Sequence, residues 1–189
     1  ALNNIKNINQ PVLLHIITKK GKGLVSTRED NGEYHRDAVK FHAVKPNSTN
    51  GELKKSKKKI IPSFQDVFGY LSCEVARNRN DTICITAAMR EGTGLVPYAK
   101  EFPNRYYDVG IAEGHGDTFS AGFATEGLRT IVGIYSTFLQ RAFDHIVHDV
   151  AIQHLPVIFC MDRSGIAGED GPTHHGSLDI AYLRCIQDM

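Results

Sequence analysis

Apolar positions from residue 63 onward switch repeatedly between two spacings. Phe64, Val67, Phe68, Leu71 and Val75 recur at helical intervals, and Ser63 followed three residues later by Asp66 has the form of a capping arrangement, so a helix is expected to run to about residue 78. Short continuous apolar runs then alternate with further helical stretches. They predict strands at 82–87, 106–109, 130–135 and 157–161, and helices at 96–102, 113–126 and 138–153. Strands alternating with helices imply an α/β fold, a mostly parallel sheet with helices on both faces. The crossovers of such a sheet are right-handed, and its ligands lie beyond the carboxyl ends of the strands.

The first third of the chain reads differently. Residues 11–18 form an apolar, β-branched run that predicts a buried strand, leading into the basic, glycine-rich Lys19-Lys20-Gly21-Lys22-Gly23, a type of loop that often holds phosphate. Periodicity vanishes between 24 and 59, where Pro46-Asn47-Ser48-Thr49-Asn50-Gly51 has turn chemistry and a lysine run at 54–59 is broken only by Ser56. This stretch reads as a linker, dividing the chain into residues 1–60 and 61–189. Position 1 is Ala, and the chain stops at Met189 just after a helical pattern, so both ends are expected to be cut from something longer.

Composition narrows the function classes. With 41% hydrophobic and 23% charged residues the balance is that of a globular protein, and 22 basic against 21 acidic residues leave a formal charge of +1. Such a chain has no global field to draw in nucleic acid or an anionic membrane, and the lysine run lacks the interleaved aromatics of a nucleic-acid surface. No apolar run approaches the roughly 20 residues that span a bilayer, and no signal-peptide pattern opens the chain. The expectation is a soluble cytoplasmic protein, or a plastid one if the source is a photosynthetic eukaryote. Cys73, Cys84, Cys160 and Cys185 are far apart and read as small buried hydrophobes in a reducing compartment.

The unusual polar residues follow the predicted strands and so belong on one rim. Glu113 opens a helix, where the positive end of the dipole favours a carboxylate; a plain first-turn acid is the alternative. The segment from Gly165 to Gly176, with Glu169, Asp170, His174 and His175, has too little apolar content to pack and too many titratable groups for an idle loop. Structural-zinc spacing and a His-Glu-x-x-His motif are both missing, so no metal ligands are assigned, and histidines that move protons or grip an oxyanion suit the loop better. Arg141 and Arg163 offer guanidinium groups for a phosphate, with structural ion pairing as the alternative. His145 and His148, with Asp144 and Asp149, read as helix-surface or subunit-contact residues.

Taken together, Ile85-Thr86-Ala87-Ala88-Met89, Asp108-Val109-Gly110-Ile111-Ala112-Glu113, Ile134-Tyr135-Ser136-Thr137-Phe138-Leu139-Gln140-Arg141-Ala142, Asp170-Gly171-Pro172-Thr173-His174-His175-Gly176 and Tyr182-Leu183-Arg184-Cys185-Ile186 resemble the deoxyxylulose phosphate synthases, transketolase-like thiamine-diphosphate enzymes. The likeness extends back through Lys19-Lys20-Gly21-Lys22-Gly23 and Phe41-His42-Ala43-Val44. It implies a homodimeric transferase that condenses pyruvate with D-glyceraldehyde 3-phosphate, releasing carbon dioxide, in isoprenoid and thiamine precursor synthesis, with thiamine diphosphate and Mg2+ as cofactors. Residues 1–60 would then be the end of the diphosphate-binding domain plus linker, and 61–189 an incomplete pyrimidine-binding domain.

The resemblance implies that Glu113 hydrogen-bonds the aminopyrimidine ring, with Tyr135 and Phe138 flanking it and His42 and Lys20 approaching from the other domain. Arg163, Asp170, His174 and Tyr135 would contact substrates, and Arg141 the aldehyde phosphate; Glu113, His174 and Asp170 are the candidate catalytic groups. The magnesium motif is expected upstream of Ala1, so the 189 residues alone are expected to be inactive. Three departures stand out. Gly114 and Asp117 replace residues that are usually Gln and apolar, Asp117 placing a second acid where it could raise the pKa of Glu113, and Leu24 replaces an aromatic. They motivate a rival reading, a non-catalytic interaction or regulatory paralogue. The other alternative is a neighbouring thiamine-diphosphate enzyme such as transketolase or a 2-oxoacid dehydrogenase E1, against which the segments 135–141 and His174-His175 favour the synthase.

Overall fold

The computed structural model describes residues 2–18 and 61–189. The chain separates into two compact units, Ala1–Lys59 and Ile60–Met189. In the first, helix α1 (Leu2–Ile5) is a single turn. The strand expected at 11–18 is not formed: these residues carry no regular structure, and Val12, Leu13, Leu14, Ile16 and Ile17 are exposed. A buried strand needs neighbours to take its backbone hydrogen bonds, and none pairs with it among the described residues. Lys20, Leu24, His42 and the lysine run lie outside those residues.

The second unit follows the predicted alternation closely. Helix α2 (Phe64–Asn78) starts at a complete capping box, the Ser63 N–H donating to Asp66 Oδ2 at 2.9 Å and the Asp66 N–H to the Ser63 hydroxyl oxygen at 3.3 Å. Strands β1 (Thr82–Thr86), β2 (Tyr106–Asp108), β3 (Arg129–Tyr135) and β4 (Val157–Asp162) form a parallel sheet in the order β2-β1-β3-β4. Every residue of the interior strand β1 is buried, as a parallel strand covered on both faces must be.

Alternating side chains build a core on each face. Cys84 and Ile131 pack with Cys73 and Ala76 of α2, with Leu95, and with Tyr98 of helix α3 (Val96–Glu101). Val132 and Ile134 face the other way, onto Leu139, Ala142, Ile146 and Ile186. Helix α4 (Glu113–Thr125) packs against β1 and β3. Of the cysteines expected to be buried, Cys73 and Cys84 are and Cys160 is partly so; Cys185 is instead exposed. It follows helix α7 (Asp179–Leu183), where the neighbouring Ile186 turns into the core, and its thiol donates to the Tyr182 carbonyl at 2.8 Å.

The single helix expected at 138–153 is four pieces: α5 (Ser136–Leu139), a 3-10 turn (Gln140–Ala142), α6 (Phe143–His145) and a π-helical stretch (Ile146–Ala151). The buried residues Leu139, Ala142, Ile146 and Val150 keep one face on the sheet through all of them. Their spacing therefore fixed the face and not the hydrogen-bond ladder, which widens to i−5 where the Ile152 N–H donates to the Val147 carbonyl at 3.0 Å.

Parallel pairing brings the strand ends to one edge. Thr86 lies opposite both Asp108 and Gly133, and Tyr135 opposite Asp162. Asp108 ties two of these ends together, one oxygen accepting from the Ala88 N–H at 2.8 Å and the Gly110 N–H at 3.0 Å. Among the described residues no helix is long and apolar enough to cross a membrane.

Candidate active site

Glu113 is the first residue of α4 and only 3% exposed. The N–H groups and dipole at a helix start favour a carboxylate there. Arg141, carried by the 3-10 turn after β3, donates from Nη1 to Glu113 Oε1 at 2.7 Å while its own side chain stays half exposed. The Arg141 guanidinium lies 4.8 Å from the centre of the Phe138 ring. Phe138 in turn stacks with Tyr135 at 5.9 Å between centroids and meets His174 edge-on at 5.3 Å. Arg163 sits over the Tyr135 ring at 4.1 Å and pairs with Asp170.

One continuous string of contacts thus joins Glu113, Arg141, Phe138, Tyr135, Arg163, Asp170 and His174 along the rim. Both arginines, read from the sequence as phosphate ligands or ion-pair partners, are in carboxylate pairs here. Arg163 holds φ at +60°, a left-handed conformation disfavoured for a side chain of this size, and its ion pair and ring contact fix where the guanidinium points.

Neighbours of Tyr135 escaped the sequence reading. A Cβ on Gly92 would lie 1.6 Å from the Tyr135 hydroxyl, so only glycine allows the phenol to seat there. Burial raises the Tyr135 phenol above its ordinary pKa, with Arg163 opposing the shift. Gly92 lies in the glycine-rich segment Glu91-Gly92-Thr93-Gly94, and nothing in that segment's sequence points to a tyrosine more than 40 residues away. The two adjacent histidines also divide their work. His175 accepts the Ala167 N–H through Nδ1 at 3.0 Å and braces the loop, whereas His174 faces Phe138. Among the described residues no three His, Cys, Asp or Glu side chains are placed to hold a metal ion.

Asp117, one turn along α4 from Glu113, is fully buried, and neither of its carboxylate oxygens has a hydrogen-bond partner among the described residues. Burial, with the charge of Asp149 adding to it, pushes the Asp117 carboxyl up to about 7. Asp149 itself is held low by the Thr118 hydroxyl and by His148. The second acid therefore bears on the stability of α4, since Glu113 has Arg141 as its partner.

A comparison with protein families matches residues 62–189 to the transketolase pyrimidine-binding domain. The chain belongs to this family. Among its relatives, the 1-deoxy-D-xylulose-5-phosphate synthase of Aquifex aeolicus is 52% identical over all of this chain, which corresponds to 29% of that protein. The synthase of Nitrosomonas eutropha is 51% identical, again over the whole chain and 30% of the relative. The chain thus spans under a third of the length of these relatives. Among solved structures, the transketolase of Campylobacter jejuni superposes with a TM-score of 0.59 at 19% identity, covering 65% of this chain and 20% of that one, a likeness of fold.

Within this pyrimidine-binding domain, Gly114 has a local explanation. A Cβ there would sit 2.5 Å from His145 Nε2, so the missing side chain makes room for the imidazole against the start of α4. His145 Nδ1 lies 2.9 Å from the Thr118 hydroxyl, which donates to Asp149 at 2.5 Å. Gly114→Ala is expected to displace that ring, cancelling the roughly 0.5–1 kcal/mol that alanine adds to a helix. In a His145→Ala background the same change should stabilise by about that amount. Chemical denaturation of the four proteins in this cycle measures the difference, and equal effects in both backgrounds would show that Gly114 and His145 are not coupled.

Proposed function

We propose that the complete protein carrying this chain is a 1-deoxy-D-xylulose-5-phosphate synthase, working as a homodimer on pyruvate and D-glyceraldehyde 3-phosphate with thiamine diphosphate and Mg2+. The first carbon of pyruvate leaves as carbon dioxide, and the remaining two-carbon unit joins the aldehyde carbon of the second substrate. The observation that carries this reading is the 52% identity across the whole chain to a protein of that name. The rim residues fit the pyrimidine end of the cofactor: a buried carboxylate at a helix start, joined through Arg141 to the stacked rings of Phe138 and Tyr135.

When bound, thiamine diphosphate supplies the electron sink for decarboxylation and carbon–carbon bond formation. Glu113 would hydrogen-bond the aminopyrimidine ring and exchange a proton with it through its carboxylate, Arg141 steadying that charge. Phe138 and Tyr135 would exclude water from one side of the channel. Arg163 and Arg141 would receive the phosphate of the aldehyde, the Arg163–Asp170 pair opening as the anion arrives. His174 would hold a proton beside the substrate oxygen, with Asp170 as a second acid–base group. Lys20 and His42 are further cofactor-binding candidates, and the magnesium would be held by residues outside those described.

A second reading, a paralogue that keeps the fold without the chemistry, draws support from Asp117, a buried acid one turn from Glu113 with no partner among the described residues. One assay separates the two. The complete protein, given both substrates, is expected to release carbon dioxide only when thiamine diphosphate and Mg2+ are present, forming the five-carbon ketose phosphate. No cofactor-dependent release would exclude the synthase and favour the paralogue.

A further inference from the structure

The residues immediately behind the two ends of the Tyr135–Arg163 contact converge on one buried carboxylate. Ser136, the residue after Tyr135, donates its hydroxyl to both oxygens of Asp179 at 2.6 Å each. Ser164, the residue after Arg163, donates to Asp179 Oδ2 at 3.0 Å. Asp179 is 6% exposed and Ser136 fully buried. Hydroxyl-to-carboxylate bonds this short are strong, and burial removes the competing water.

The loop between these points is closed at the same place. Gly165 and Gly176 exchange backbone hydrogen bonds, N–H to carbonyl at 3.0 and 2.8 Å. A Cβ on Gly176 would lie 1.9 Å from the Ser136 hydroxyl and 2.9 Å from the Arg163 carbonyl, so the returning limb of the loop crosses directly over the serine–aspartate contact. His174 is two residues back along that limb, and the Thr137 hydroxyl donates to the Thr173 carbonyl at 3.3 Å. The turn after β3, the turn after β4 and the loop carrying Asp170 and His174 therefore share one anchor.

We infer that Asp179 is a positioning residue: through Ser136 and Ser164 it holds Tyr135, Arg163 and the 165–176 loop in one arrangement, and so sets the affinity for the phosphorylated substrate. The kinetic half of this inference rests on the proposal that these side chains contact substrate; the mechanical half does not. Removing the anchor frees the loop base while leaving Glu113, Phe138 and Arg141 on their own elements. Binding should suffer more than turnover.

The test uses the complete protein with Asp179→Ala, Asp179→Asn and Ser164→Ala. In Asp179→Ala, hydrogen exchange in peptides covering 164–178 should quicken by about tenfold or more. KM for D-glyceraldehyde 3-phosphate should rise about tenfold, with kcat falling by less than about threefold. Asp179→Asn keeps an acceptor for the serines and should recover part of both effects. Ser164→Ala removes only the longer contact; it should raise KM a few-fold at an unchanged melting temperature, and it decides the matter if the alanine variant of Asp179 fails to fold. Unchanged exchange at 164–178 in a folded Asp179 variant overturns the inference, as does faster exchange with KM unaltered. If the unmodified protein turns over no substrate while exchange still responds, the synthase reading fails and the anchor stands as a mechanical one.

Discussion

Replacing Glu113 with glutamine lowers turnover of the complete protein by about 10²–10⁴-fold, the span expected when a positioned acid–base group is lost. Glutamine keeps an oxygen to accept from Arg141 and nearly the same volume, so the packing at the start of α4 survives and the melting temperature should stay within a few degrees. What disappears is the capacity proposed for the carboxylate, to take and return a proton beside the aminopyrimidine ring. Steady-state kinetics with a parallel thermal melt checks both halves. Near-normal turnover in this variant would remove Glu113 from the chemistry, whereas a collapsed melting temperature would recast it as a structural acid.

Asp117→Val should do the opposite and stabilise the protein. The wild-type carboxyl is fully buried without a hydrogen-bond donor among the described residues, a situation that costs about 1–3 kcal/mol for a polar group and more for a charged one. Valine fills a similar volume with no polar atom, so a gain of about 2 kcal/mol is expected at acid pH, where the carboxyl is protonated, and a larger one near neutral pH.

The pH dependence has a definite sign. An unfolded aspartate ionises near 3.8, whereas the folded one keeps its proton until about 7. Between these values the folded state binds the extra proton, so this group removes stability as the pH rises from about 4 to 7, and its effect levels off above that. The valine variant should lose that slope, and the difference between the two proteins should grow across the window. Thermal melts of both at pH 5 and pH 8 measure it. An equal shift at both values would mean that Asp117 is ionised throughout, with a partner.

The sheet and its order of elements were legible because apolar spacing reports burial directly. The run Thr82 to Thr86 is buried throughout, as its apolar content predicts. The helical spacing of Phe64, Val67, Leu71 and Val75, in contrast, predicted the helix and not its buried face: these four side chains are exposed, and Gly69, Ser72, Cys73 and Ala76 meet the core instead. The rim was legible for the same reason: once the strands are parallel, whatever follows them falls on one edge. Hydrogen-bond registers were not, and the pieces between Ser136 and Ala151 differ in their ladders while burying the same side chains. The run at 11–18 misled because its apolar content describes a strand only when neighbours are present to pair with it.

Within the site, single residues with unusual chemistry were found and the contacts between them were not. Glu113, His174 and Arg163 stand out by type and position. Gly92 under the Tyr135 hydroxyl, Gly114 beside His145, and Asp179 between two serines matter only through partners far along the chain. Asp117 was noticed as an acid near Glu113, but its consequence follows from burial, which sequence spacing alone did not reveal. The matched relatives supply the reaction as a proposal, and the geometry supplies the residues to test.

A crystal structure of the complete protein with thiamine diphosphate and Mg2+ bears most directly on the claim that this rim is the pyrimidine half of a cofactor site. The account predicts the aminopyrimidine ring beside Phe138, with a ring nitrogen within hydrogen-bond distance, about 2.6–3.2 Å, of the Glu113 carboxylate. A cofactor bound away from this edge of the sheet, with Glu113 paired only to Arg141, would contradict it.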